Sequence, residues 1–136
     1  MRGLFILIFL LSISPVFAQK LGDTRIVIKS SDTANIYQRT KLALINADFQ
    51  VKDDGRRDTI TTYSLEVNGI HCILQASFTD NLVTLFGVYG LKKIDYFGYN
   101  RNPGKYKQII YYKGSKGWKL MQDMAKAIGG EISYIE

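Results

Sequence analysis

Two polar residues beside a predicted β-turn are the first candidates for chemistry. Asn68-Gly69 is a strong two-residue hairpin signal, and a hairpin closed there sets Glu66 opposite His71 on neighbouring strands. A carboxylate beside an imidazole can orient the ring for acid–base work. One histidine and one glutamate on an open sheet lack a nucleophile and a pocket. We therefore interpret them as a surface polar pair that contributes roughly a few tenths of a kcal/mol.

The only cysteine and the only histidine of the chain cannot act together. His71 and Cys72 are adjacent in a predicted strand, and adjacent strand residues point to opposite faces of a sheet. One residue of each type excludes a His-rich or Cys-rich zinc site and an intramolecular disulfide. Asp53-Asp54-Gly55 lacks the alternating ligands of a calcium loop and is typical of a tight turn. The sequence predicts no catalytic residue, no metal and no cofactor.

Residues 96–112 combine aromatic rings with lysine and arginine on a segment that carries Gly98 and Pro103-Gly104. Such a segment is suited to stacking on sugars or to anchoring a protein partner. The alternative is that its tyrosines cover the exposed face of the sheet, and the two interpretations are compatible. From this segment we take Tyr96, Phe97 and Tyr99 as candidate binding residues.

The N-terminus has the pattern of a secretory signal peptide. Arg2 precedes the apolar residues 4–11, and residues 12–18 end in the small side chains expected before a cleavage site. A membrane-spanning helix needs about 20 apolar residues, and this run is interrupted by serines and Pro15. We predict a signal peptide over residues 1–18, cleavage after Ala18, no permanent membrane anchor, and a periplasmic or extracellular destination.

The remaining residues, 19–136, have a length typical of one domain. The whole chain carries 18 Lys+Arg against 12 Asp+Glu, a net charge of +6. This charge favours anionic partners in a general way. Because the basic residues are scattered and the chain is predicted to be exported, we expect no nucleic-acid partner.

The periodicity of the sequence predicts an α+β fold: an antiparallel sheet in the order β-α-β-β-β-β-α, with two helices packed on one face. A first strand over residues 24–28 precedes a helix with N-cap candidates in residues 30–33. The second helix begins near Trp118 and ends at Gly129-Gly130. Residues 131–136 have strand character and are suited to a sheet edge.

A three-stranded meander over residues 59–90 is the centre of the predicted sheet, with turns at Asn68-Gly69 and Asp80-Asn81. Alternation along its strands gives one apolar face for the helices and one outer face. The outer face of an antiparallel sheet is usually polar, so an apolar spot there indicates a contact surface. The candidate binding residues on this outer face are Ile60, Ile73, Gln75, Phe86 and Val88, of which all but Gln75 are apolar.

The order of strand, capped helix, short strand, meander and Trp-bearing helix resembles the small exported domains of Bacteroidetes-type bacteria described as having a TBP-like or helix-grip arrangement. The resemblance covers residues 23–136 and rests on residues 31–47, 59–90 and 118–130. It implies a helix-on-sheet fold and no known activity. The name refers to the shape of the fold and implies no DNA binding.

Three functional hypotheses come from these patterns. The first is an exported, non-catalytic binding or assembly module of the cell envelope, whose partner is an envelope protein or glycan bound by the outer face and residues 96–112. The second is a small-ligand carrier or enzyme with a pocket between the helices and the sheet, reached past Tyr89 and Trp118. The third is a homodimer formed through sheet faces or the edge of the final strand.

Overall fold

The computed structural model describes residues 18–91, 94–95, 98–99 and 105–136. These residues contain a seven-stranded antiparallel sheet and two helices, so the predicted α+β class is confirmed. Of the predicted signal peptide, residues 1–17 lie outside the described residues. No helix in the described part of the chain is long and apolar enough to cross a membrane.

The described residues form nine strands and two helices. In chain order they are β1 (Arg25–Lys29), α1 (Ile36–Asn46), β2 (Thr59–Thr61), β3 (Leu65–Val67), β4 (Ile70–Thr79), β5 (Leu82–Leu91), β6 (Ile94–Asp95), β7 (Gly98–Tyr99), β8 (Lys107–Gln108), α2 (Lys116–Ile128) and β9 (Glu131–Ile135). Across the sheet the order is β2-β4-β5-β1-β9, with β3 also paired to β4 and β8 to β5. β6 and β7 form a separate two-stranded sheet.

Two tight turns set the register of the central strands. At Asn68-Gly69 both residues have positive φ, 51° and 82°, as a type I′ turn requires, and Glu66 pairs with His71. The Asp80-Asn81 turn also closes in two residues, because β4 and β5 pair without a break from one end to the other. The predicted register of β4 with β5 is confirmed over its whole length, and that of the first hairpin is confirmed from Val67 to Leu65. Beyond Leu65 the first register does not continue, since Thr62 and not Tyr63 bonds to Leu74.

A bulge between β2 and β3 reverses part of the predicted face assignment. β3 pairs Leu65 with Cys72, whereas β2 pairs Thr61 with Gln75, so β4 has one residue fewer than its neighbour between these pairs. One extra residue turns the side chains of β2 to the opposite face. Ile60 is therefore 1 % exposed within the core, and its predicted place on the outer face is wrong.

Thr62 completes the hydrogen bonding where the bulge interrupts the ladder. Its backbone N–H donates to the Leu74 carbonyl at 3.0 Å, and its buried hydroxyl oxygen accepts from the Leu74 N–H at 2.9 Å. A bridge between Thr62 and Val51 brings the segment after α1 against the same strand. Because both backbone groups of Leu74 are satisfied, the bulge leaves no unpaired polar group at this buried position.

The polar residues ahead of α1 stabilise a turn instead of capping the helix. The Ser30 hydroxyl accepts from the Asp32 N–H at 3.1 Å, and the Asp32 carboxylate accepts from the Asn35 N–H at 3.3 Å. The N-cap residue is Asn35, whose side chain makes no capping hydrogen bond. The helix therefore begins after the predicted cap candidates.

Both ends of α2 follow the prediction more closely. Ser115 is the N-cap, and its hydroxyl accepts from the Trp118 N–H at 3.2 Å. Gly129 ends the helix with φ 77°, a conformation that suits glycine. The buried face of this helix packs on β1, β4 and β5, and α1 packs beside it on the same core.

α2 approaches the sheet through Ile109, which lies between two glycines. Ile109 is 1 % exposed, and its N–H donates to the Gly87 carbonyl at 2.9 Å. A Cβ on Gly87 would lie 2.7 Å from Leu74 Cδ2 and 2.9 Å from the Ile73 carbonyl oxygen. A Cβ on Gly117, in the first turn of α2, would lie 3.0 Å from Ile109. The isoleucine side chain therefore occupies the space that the two glycines leave between strand and helix.

We expect Gly87→Ala to lower the free energy of unfolding by about 1–3 kcal/mol, the usual cost of overpacking a core. The added methyl group would meet the Ile73 carbonyl, which cannot move without disturbing the ladder between β4 and β5. Urea unfolding followed by circular dichroism measures the change. Gly117→Ala is the matched control with a smaller expected loss, because its close contacts are with the Ile109 side chain alone. Equal stability of Gly87→Ala and the unmodified chain would contradict this account.

Candidate functional site

Four of the predicted binding residues come together on the outer face of the sheet. Ile73 pairs with Val88, and Gln75 pairs with Phe86, so the four side chains form one half-buried group across β4 and β5. The row beside them carries four hydroxyl side chains, with Val27 between the last two: Thr59, Ser77, Thr84 and Ser133. The outer face thus has an apolar centre on a polar surface, and its role in binding stays a prediction.

The other predicted residues cannot be joined to this group. Tyr96 and Phe97 lie outside the described residues. Tyr99 belongs to β7, where its backbone pairs with Ile94, and only its backbone position is described. Ile60 lies in the core on the opposite side of the sheet.

The Glu66–His71 pair is a weak candidate for chemistry. The His71 Nε2 and the nearer Glu66 carboxylate oxygen are 4.0 Å apart, which is too far for a hydrogen bond. The histidine side chain is 13 % exposed, and no described residue accepts from or donates to its Nε2. His71 is therefore more deeply buried than a member of a surface pair, which is how we interpret it from the sequence.

Cys72 lies on the opposite face, in the core, with no exposed surface. Burial raises the pKa of the Cys72 thiol to about 11, because desolvation disfavours the thiolate. The thiolate is the nucleophilic form, so the thiol is inert at neutral pH. The described ranges also contain no group of three or more His, Cys, Asp and Glu residues that could hold a metal ion.

A cleft of about 290 Å³ opens where α2 begins beside the ends of β4 and β5. Ile70, Tyr89 and Leu91 line it from the strands, and Tyr112 with residues 114–117 line it from the turn and the helix. Leu91 is 65 % exposed and Tyr112 is 44 % exposed. The cleft lies between a helix and the sheet and includes Tyr89, but its lining lacks Trp118, the other residue that the second hypothesis names.

A second cavity of about 310 Å³ lies on the other side of the same turn. It shares Tyr112, Gly114, Ser115 and Lys116 with the cleft. Its remaining lining comes from the following residues: Tyr111, Trp118, Lys119 and Gln122. The turn of residues 112–116 is therefore a wall between two adjoining depressions, both of which carry aromatic side chains.

Trp118 is held in place by polar contacts as well as by packing. Its Nε1–H donates to the Gln19 side-chain oxygen at 3.0 Å, and the Gln122 amide donates to the same oxygen at 2.6 Å. Its ring lies 5.7 Å from the Tyr111 ring and 5.9 Å from the Tyr134 ring, between ring centroids. At 2 % exposure Trp118 is a structural residue behind the turn. No sequence pattern indicated the contact of Gln19 with Trp118, which joins residues 99 positions apart.

Lysine side chains make the start of α2 positive. Lys116 is the first residue of the helix, and its ammonium group donates to the Asn68 carbonyl at 2.9 Å, which ties the β3–β4 turn to the cleft. Lys113 is exposed in the preceding turn. Within the helix, the Lys119 ammonium nitrogen lies 3.8 Å from the Asp123 Oδ2. Positive side chains and a helix N-terminus together favour oxygen acceptors and negative groups.

The groove between α1 and α2 is the largest of these depressions, at about 390 Å³, and the most open. Its lining is mainly aliphatic: Arg39, Leu42, Ala43, Asn46, Ala47, Met124 and Ala127. The Arg39 guanidinium already donates to the Ile128 carbonyl at 2.6 Å. With no aromatic ring in its lining, this groove offers less for orienting a ligand than the cleft does.

We expect the Cys72 thiol to react with iodoacetamide at pH 8 at least about 100-fold more slowly than an exposed thiol, because few molecules carry the thiolate and the core excludes the reagent. The matched control is Ser31→Cys, which places a thiol in the exposed turn before α1. Intact mass spectrometry counts the adducts over time. Equal labelling rates at the two positions would contradict the buried state of Cys72.

Comparison of this chain with protein-family models, with curated proteins and with solved structures finds no match.

Proposed function

We propose that the chain is a non-catalytic binding module that acts outside the cytoplasm and holds an envelope glycan in the cleft at the start of α2. One observation carries the binding part: Tyr89, Tyr112 and the exposed Leu91 line a concave surface beside the lysine-bearing end of a helix. The location rests on the signal-peptide pattern of residues 1–18.

The chemistry of the cleft suits sugars. Tyrosine side chains offer apolar ring surface for the C–H faces of a sugar, together with a hydroxyl for its polar groups. The volume of about 290 Å³ is near the lower limit of ligand pockets, roughly 300 Å³. A site of this size accommodates a short part of a longer glycan chain. Lys116 in its lining, together with the exposed Lys113 in the same turn, favours acidic sugars over neutral ones.

The residues around the cleft support binding better than catalysis. General acid–base work requires a titratable group positioned at the site with a pKa suited to its task. The polar side chains of the described lining are two tyrosines, Lys116, whose ammonium group donates to the Asn68 carbonyl, and Ser115, whose hydroxyl accepts from the Trp118 N–H as the cap of α2. This lining holds no histidine, cysteine or carboxylate side chain. His71 lies on the outer face, and Cys72 is enclosed in the core with its thiol protonated. The enzyme alternative therefore has less support than the carrier or binding alternative.

The outer face is a second candidate, for an envelope protein. Ile73, Phe86 and Val88 form an apolar group on a face that is otherwise rich in hydroxyl side chains. Their half-buried state leaves less free surface than Leu91 and Tyr112 offer at the cleft. This difference is why the cleft is the preferred site.

We expect Tyr112→Ala to weaken glycan binding by about tenfold or more, since loss of an aromatic anchor costs over 1 kcal/mol. The probe is the mixture of soluble fragments released from purified peptidoglycan, and the measurement is isothermal titration calorimetry. Tyr63→Ala is the matched control, because Tyr63 is a similarly exposed tyrosine, at 53 %, outside the cleft lining. We expect its affinity to equal that of the unmodified chain.

A folded Phe86→Lys variant separates the two surfaces. If it binds the fragments as well as the unmodified chain does and Tyr112→Ala does not, the cleft is the site. If Phe86→Lys loses binding while Tyr112→Ala keeps it, the outer face is the site and the assignment to the cleft is wrong. Absence of binding by the unmodified chain would count against the glycan itself.

A further inference from the structure

The sheet ends at β9, and the described residues place no strand along its outer side. Proteins commonly protect such edges with lysine, proline, a bulge or a very short strand. β9 has the sequence Glu-Ile-Ser-Tyr-Ile and pairs with β1 over all five residues without a bulge. Apart from the charge of Glu131 at its start, it has no such protective feature, and it keeps the regular backbone pairing that a further strand would need.

The register of the sheet decides which backbone groups of β9 are free to pair. The Ser30 N–H donates to the Asn81 carbonyl, so even-numbered residues at β1 direct their backbone groups toward β5. The odd-numbered residues of β1 consequently direct their backbone groups toward β9, and one of them, Val27, pairs with Ser133. Alternation then directs the N–H and C=O groups of Ile132 and Tyr134 away from the sheet.

We propose that a second copy of the chain pairs with β9 in antiparallel orientation about a two-fold axis at Ser133, which makes one continuous sheet across two protomers. In this register Ile132 lies opposite Tyr134 of the other copy, and each pair exchanges both hydrogen bonds. These two side chains share the helix-covered side of the sheet and are half-buried in the single chain. Aromatic and β-branched residues form favourable cross-strand pairs.

The other side of β9 is also compatible with a copy of itself. Ile135, which is 42 % exposed, lies opposite Glu131 of the other copy, and the small Ser133 lies opposite its equivalent. No like charges face each other in this register. A register centred on Ile132 would instead set Tyr134 opposite Gly130 and lose the aromatic pairs. This self-complementarity, present in five residues, favours a second copy over an unrelated strand.

The test places charged residues at the two-fold axis, at position 133. The full chain is expressed and purified. We expect the unmodified chain to show a concentration-dependent rise toward twice the monomer mass in sedimentation equilibrium at concentrations up to about 1 mM. Ser133→Lys and Ser133→Glu each set like charges opposite one another, so each variant should stay monomeric alone. An equimolar mixture of the two should recover the doubled mass.

Thr33→Lys is the control, since it adds one charge at an exposed position before α1 and should dimerise like the unmodified chain. The unmodified chain remaining monomeric at the highest concentration overturns the proposal without reference to any variant. Dimerisation of Ser133→Lys alone, or a mixture that stays monomeric, assigns any dimer to a different surface and overturns it as well. None of these outcomes depends on the glycan site, because the readout is mass alone.

Discussion

The position of α2 depends on one close approach, in which Ile109 lies between Gly87 of β5 and Gly117 of the helix. A Cβ at either glycine would lie 3.0 Å from an atom of the isoleucine side chain, so the absence of both side chains favours this close approach of helix and sheet. This contact therefore sets where α2 begins relative to the sheet. The walls of the cleft come from that placement, because Tyr112 and Tyr89 belong to the turn before the helix and to the strand below it.

The two sides of the sheet have different tasks in this arrangement. The helix-covered side carries an uninterrupted core, in which Cys72 behaves as a small apolar residue because its thiol is desolvated. The outer side carries Ile73 and Phe86 among hydroxyl side chains. The Glu66–His71 pair lines none of the three depressions found in the described part of the chain. The cleft and the edge strand β9, where we propose binding, are the features by which the described part of the chain differs from a simple packed domain.

Local signals were sufficient wherever a short stretch of chain fixes its own geometry. The Asn68-Gly69 turn needs residues that accept positive φ, and that requirement alone set the pairing of Glu66 with His71. Helical periodicity and a glycine stop located α2 within two residues at its start. The α1 start was less well predicted, because Asp32 and its neighbours can satisfy a turn as readily as a helix cap, and only the rest of the chain decides between them.

Period-two alternation and tight turns are local properties, and they were enough to predict the fold class, the pairing of β3 and β5 with β4, and four of the five predicted outer-face residues of the meander. The remaining features come from contacts between segments that are distant in the chain. Between β2 and β3 the chain has one residue more than β4 does, and this bulge moves Ile60 into the core. The bulge is stabilised by the hydrogen bond between Thr62 and Leu74. The cleft, and the contact of Gln19 with Trp118, join segments far apart in the chain. Such contacts depend on how elements pack, which no local pattern encodes.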